Sequence, residues 1–276
     1  MNIELVQRHF ARIGANLRIE NVRDQRWRWL YRTDADYQID ITDDGKGESF
    51  VVRARENALD NYEFLAVHMR PDERHLLLMA RNLESRAKQK FLCGHDERHW
   101  FVAGIPDEAG AATVQQAMEA LKPQAVQHAQ RMSGVKRKQW NSRRNPGFVR
   151  QGEWFFIPDA NGPGEGAFIL RNEPLQRGGG KPHMVEEVSR TGGEVVYVCS
   201  RHPNGITEEQ FQRLLRSSRH AKGWNWTVMR RNPDVHARGW VRHPDHKTIV
   251  LPSWHRVRMS NESNGVGNNR VVAFLD

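Results

Sequence analysis

The sequence predicts an α+β protein in two parts. An antiparallel sheet with flanking helices comes first, and a strand-rich barrel or sandwich with one helix follows. Three observations predict it. Apolar residues cluster in short runs such as LLLM, WFVAGI, WFFIP, VVYV and TIVL, the length of short strands. Helical spacing of apolar residues is confined to a few segments. Between them lies a stretch, Arg131 to Arg150, that carries Arg131, Lys136, Arg137, Lys138, Arg143, Arg144 and Arg150 without one acidic residue. These set the expected limits: an α+β domain over 1–132, a basic linker over 133–147 and a β-rich domain over 148–276.

Residues 2–17 predict an amphipathic helix, because Ile3, Val6, Phe10 and Ile13 share one face and Gly14 weakens its end. RWRWLYR (26–32), YQIDIT (37–42) and SFVVRAR (49–55) read as strands, the last two joined by the Asp-Gly turn at 43–47. FLAVHMRPDERHLLLMA and FLCGHDERHWFVAGI follow, each an apolar run, a polar DERH and a second apolar run. WVRHPDHKTIVL repeats the rhythm near the end. Asp initiates tight turns by hydrogen-bonding the backbone ahead of it, so all three predict hairpins. Thr113 with Gln116 forms a capping-box pattern for a helix, Pro123 interrupts it, and QAVQHAQRM continues as a second one. In the second half, WFFIP, AFIL, EVVYVCS, WNWTVMRR, 239–257 and VVAFLD predict strands. Thr207 with Gln210 caps a single helix carrying Phe211, Leu214 and Leu215.

The formal net charge is +9, which favours polyanionic partners. Two distant cysteines, Cys93 and Cys199, exclude a disulfide framework and a paired-cysteine zinc pattern and point to a reducing cytosol. The first residues lack the order of a secretory signal, and no apolar run has the length of a membrane span. A cytoplasmic protein without a membrane partner is expected.

Three segments resemble a small bacterial and phage family: RQGEWFFIP (150–158), RGGGKPHMVEE (177–187) and HPDHKTIVLPSWHRV (243–257), in that order. The family reads Arg-Gln-Gly-Asp before a strand, then Gly-His-any-His, then a late histidine-rich turn before Leu-Pro. The resemblance covers about residues 148–276 and implies no activity, since none is established for the family. Glu153 stands in place of the aspartate, and His183 alone represents the paired histidines.

Three functional readings compete. The first is nucleic-acid binding, to DNA or RNA, through Lys136, Arg137, Lys138, Trp140, Arg143, Arg144 and Arg150. Cations neutralise phosphates, and an exposed Trp stacks on an unpaired base. The second is a metal- or histidine-dependent enzyme in the β-rich part. His183, His243, Asp245, His246 and His255 are its candidate catalytic residues, and His183, His243 and His246 its candidate ligands for a divalent metal. Imidazole and carboxylate bind such metals and act as acid or base near neutral pH; the same residues also suit solvated hairpin tips. Glu186 and Glu187 could add carboxylates. A lesser cluster is Cys93, His95 and His99 with Asp96 and Glu97. A third reading is an accessory protein that binds an acidic protein partner. Neither NGPGEG nor RGGGK has the spacing of a phosphate-binding loop.

Overall fold

The computed structural model describes residues 3–24, 26–27, 35–45, 47–176 and 181–263. They form two compact units. One comprises described residues up to Gln127, with Arg137–Asn141 and 260–263. The other comprises His128–Lys136 and Ser142–Met259. Among the described residues no helix is long and apolar enough to cross a membrane. The protein is α+β and rich in strands.

In the first unit α1 (Ile3–Arg12) buries Val6 and Phe10, and the chain leaves it through Gly14 at φ +79°, a conformation glycine adopts without strain. A three-stranded sheet follows. Its central strand β3 (Glu48–Arg55) runs parallel to β1 (Leu17–Val22) and antiparallel to β2 (Tyr37–Asp43). The strand expected over 26–32 is corrected at its start. Asp24, Arg26 and Trp27 are helical, the Trp27 N–H donates to the Arg23 carbonyl at 2.9 Å, and Trp27 is buried. Alternating Arg and Trp has strand period, but a local hydrogen bond and burial of one indole override so short a pattern. Residues 28–34 lie outside those described.

The four strands β4 (Tyr62–Arg70), β5 (His75–Asn82), β6 (Lys88–Asp96) and β7 (His99–Ile105) form an antiparallel meander. Both DERH segments are its hairpin turns, as expected, with Arg74 and Glu97 at positive φ. The unbroken Leu76-Leu77-Leu78 run reflects burial on both faces. Leu76 and Leu78 join the core of α1 and the first sheet, and Leu77 joins Val114, Ala117 and Leu121 on the other side. Those last three belong to or follow α2 (Val114–Ala120), whose Thr113/Gln116 capping box is complete. Helix α3 (Gln124–Met132) follows Pro123.

In the second unit seven antiparallel strands form one sheet, ordered β11-β12-β16-β17-β10-β9-β8. Their ranges are β8 (Arg144–Asn145), β9 (Phe148–Gln151), β10 (Trp154–Pro158), β11 (Leu170–Leu175), β12 (His183–Thr191), β16 (Asp234–His243) and β17 (His246–Met259). The outer strands β11 and β8 do not pair, so the strand-rich unit expected as a barrel or sandwich does not close into a barrel. Two-residue β8 is too short to continue the ladder. Val149, Trp154, Phe156, Val185, Val188, Val235, Ala237, Val241, Leu251 and Val257 make the core of this unit. Of the expected AFIL strand only Leu170 is extended, and Phe168 is exposed. Segments 177–180 and VVAFLD lie outside the described residues.

Strands β12 and β16 remain paired up to Thr191 and Asp234. The chain between them folds into a second sheet, β14-β13-β15, with one helix. Its elements are β13 (Glu194–Cys199), β14 (His202–Thr207), α4 (Glu208–Ser217) and β15 (Thr227–Arg231). Thr207 and Gln210 form the complete cap expected for α4. The segment expected to be a linker, 133–147, carries a 3-10 turn at Arg137–Gln139 and strand β8.

Candidate metal centre

Side chains alternate along a strand, so residues two apart share a face. His183 lies two residues before buried Val185, and His243 two residues after buried Val241. The histidines therefore occupy core-facing positions where the strands end. His243 and His246 pair across the tip of the β16–β17 hairpin, with Pro244 and Asp245 as its turn. The β9–β10 hairpin adds a second tip, where Gln151 pairs with Trp154 around Gly152 and Glu153. Gly152 has φ +56°, the requirement of a tight two-residue turn led by glycine. Arg150 steadies this turn by donating from Nε to the Gly152 carbonyl at 2.8 Å.

These two tips and the start of β12 bring His183, His243 and His246 together. One ligand-capable nitrogen from each lies within 4.8 Å of the others. The rings are nearly parallel. His183 stacks on His243 at 4.2 Å between centroids and on His246 at 5.6 Å, and His243 lies 4.8 Å from His246. A methyl group added at Gly152 would stand 3.0 Å from His246 Nε2 and 3.3 Å from His183 Nε2, so both nitrogens face the bare glycine.

The hydrogen bonds determine which ring nitrogen of His183 donates. The Gln151 side-chain nitrogen donates to the carbonyls of Val241 at 3.2 Å and Lys247 at 2.7 Å. Its amide oxygen is thus turned toward His183 Nδ1, 3.0 Å away. A carboxamide oxygen only accepts, so Nδ1 carries the proton. In the neutral ring this leaves the Nε2 lone pair available. Glu153 Oε2 lies 3.5 Å from that Nε2. His183 and Gln151 are buried, while His243, His246 and Glu153 are half-buried.

Burial also shifts two of the rings. His246 is held down to about 4, by burial first and then by His243 and His183; Glu153 and Asp245 pull the other way. His243 is lowered as well, by burial and then by His183, against Asp245, the Lys181 carbonyl and Glu153. Both rings are neutral at pH 7, the state in which imidazole binds metal. His243 Nδ1 accepts the Asp245 N–H at 3.1 Å, which holds the ring in place and occupies that lone pair.

The other candidates fall elsewhere. Asp245 is outside the cluster and pairs with Lys181, 2.9 Å from Oδ1. His255 is corrected as a member of the site. It pairs with Ala237 and Pro158, nine residues beyond His246 and so roughly 25–30 Å along the strand at about 3.3 Å per residue. Its Nδ1 donates to the Ser253 carbonyl at 2.7 Å. Glu186 accepts the Trp240 N–H and Glu187 pairs with Arg238. Cys93 is a core residue whose thiol is pushed up by burial, and His99 bonds Glu48 at 2.6 Å. Among the described residues the His183 trio is the one group of three metal-capable side chains.

The basic candidates divide between the units. Arg137, Lys138 and Trp140 belong to the first, and Lys136, Arg143, Arg144 and Arg150 to the second. Trp140 is half-buried, its carbonyl accepting Lys122 Nζ at 2.8 Å. Arg144 donates to the Val250 carbonyl at 3.1 Å. Arg143 is lowered to about 10 by burial and by neighbouring Arg150. Sequence reasoning missed Gln151 and Glu153 as members of a site. The signal for them was their place in RQGE, beside a glycine that a tight turn requires.

Comparison with protein-family models, with curated proteins and with solved structures finds no match.

Proposed function

We propose that the second unit binds one divalent transition metal, with His183, His243 and His246 as nitrogen ligands and Glu153 as the carboxylate. The observation that carries this reading is the Gln151–His183 hydrogen bond. Metal-bound histidines are commonly oriented by a second partner on the other ring nitrogen, which fixes the tautomer. Gln151 does this here, and its own orientation is dictated by two backbone carbonyls. The donor set suits zinc, and also iron, cobalt or nickel.

The spacing supports the same reading. Metal–nitrogen and metal–oxygen bonds of about 2.0–2.1 Å separate tetrahedral ligand atoms by roughly 3.4 Å. Glu153 Oε2 and His183 Nε2 stand 3.5 Å apart. The histidine nitrogens are spread wider, within 4.8 Å, so binding draws the rings inward and breaks their stacking. His243 gives up the Asp245 N–H if it binds through Nδ1.

The test is metal content. Purified protein offered zinc, cobalt, nickel or ferrous ion, then desalted, should retain about one equivalent of one of them. His183→Ala combined with His246→Ala should retain none while keeping its circular-dichroism spectrum. Cobalt should give visible bands typical of mixed nitrogen and oxygen ligands, weakened in Glu153→Gln. Failure to retain any of the four metals, or full retention by the double variant, would overturn the reading.

A further inference from the structure

A second feature of the chain is independent of the histidine cluster. Residues 192–233, inserted between β12 and β16, contribute no side chain to the apolar core of their unit among the described residues. Their own buried side chains are few: Val196, Cys199, Ala221 and Pro233. Yet the insertion carries four aromatic residues and His202, all half-exposed. Tyr197 stacks on Phe211 at 4.0 Å with planes 6° apart. Phe211 meets the edge of Trp226 at 4.9 Å. Trp226 stacks on His202 at 5.6 Å and 13°, and Trp224 lies 5.8 Å from Trp226. The guanidinium of Arg201 covers Trp224 at 4.4 Å.

A contiguous patch of apolar rings left partly open to solvent marks an interaction surface. Here they form a continuous, half-open row, ordered by contacts within the row and by the Trp226 indole donating to the Ala221 carbonyl at 2.8 Å. The charge beside the row is one-sided. The insertion holds seven Lys and Arg against three Glu. Arg216, Arg219 and Lys222, all exposed, directly precede Trp224. The opposite charges are partly engaged with one another, Glu194 with Arg231 and Glu209 with Arg213. Uncommitted positive charge thus lies at the Trp224 end of the row.

Half-open rings with cations beside them suit a flexible chain of bases and phosphates. Each base has a face to stack, and each phosphate a charge to neutralise. A duplex offers phosphates but keeps its bases stacked on each other. An acidic peptide offers charge but nothing flat for Trp224 and Trp226. We infer that the insertion 192–233 is a binding platform for single-stranded nucleic acid, with Trp224, Trp226 and His202 stacking bases and Arg201, Arg216, Arg219 and Lys222 holding phosphates.

The test uses the full chain and a fluorescein-labelled 20-nucleotide strand of mixed sequence, as DNA and as RNA, read by anisotropy. Binding should quench tryptophan fluorescence and weaken steeply between 50 and 200 mM salt. Trp224→Ala should lower affinity about 5- to 100-fold, the range for loss of one stacked base. Because that variant could disturb the module, Arg201→Gln and Lys222→Gln are measured alongside. Each should reduce the slope of log affinity against log salt by about 0.7, one phosphate on a single strand. Absence of binding at 50 mM salt overturns the proposal. So does equal affinity for duplex or for a poly-glutamate peptide, or binding unchanged in all three variants.

Discussion

At the scale of single residues, the geometry of the candidate centre depends on one neutral amide. Gln151 is buried and uses both ends of its side chain, donating to two carbonyls and accepting from His183. Gln151→Leu removes the group that fixes the His183 tautomer. Metal affinity should fall about 10- to 100-fold, measured by competition with a coloured chelator. Lost hydrogen bonds around the buried carbonyls should also cost about 1–3 kcal/mol of stability. His255 makes a different prediction, away from the cluster. Burial lowers its affinity for protons, and Arg144 lowers it further against the Ser253 carbonyl. The unfolded chain therefore binds this proton more readily than the folded one. The contribution of His255 to stability is complete above about 6.5, the ordinary histidine value, and is lost as pH falls below it. Urea unfolding at pH 7.5 and 5.5 should show that loss, and His255→Gln should reduce it.

At the scale of elements, the site is made by two hairpin tips and one strand end. The β9–β10 tip depends on Gly152, whose positive φ disfavours a side chain and whose missing Cβ makes space for two imidazoles. Gly152→Ala should destabilise the protein by about 1–2 kcal/mol and abolish metal retention, because the new methyl lies 3.0 Å from His246 Nε2. Gly164 offers the control. It also has positive φ, +86°, but nothing lies within 4 Å of an added Cβ. Gly164→Ala should share the backbone cost, seen in thermal denaturation, and keep the metal.

At the scale of the whole molecule, the proposed centre and the proposed nucleic-acid platform are separable. Thr191 and Asp234 are direct partners in an antiparallel pair, about 4.5–5.5 Å apart. A two-residue Asn-Gly turn can join them in place of 192–233. The shortened protein should keep the seven-stranded sheet and its metal, and lose single-strand binding. Metal analysis and anisotropy on the same preparation check both halves. Loss of metal would mean that the insertion supports the sheet after all.

The local features were legible in the amino-acid order alone. The capping boxes at Thr113 and Thr207, the break at Pro123, the DERH hairpins and most core strands follow from hydrogen bonds and periodicities spanning only a few residues. The amino-acid order also marked His183, His243 and His246. That these three meet, that Gln151 and Glu153 join them, and that His255 and Asp245 do not, follows from the folded chain. His183 and His246 are separated by more than sixty residues, and their approach depends on the order in which seven strands pair. The same holds for the open sheet and for 192–233 as an insertion. Strand order is set by long-range burial and closure of a whole core, and no spacing within a short window encodes it.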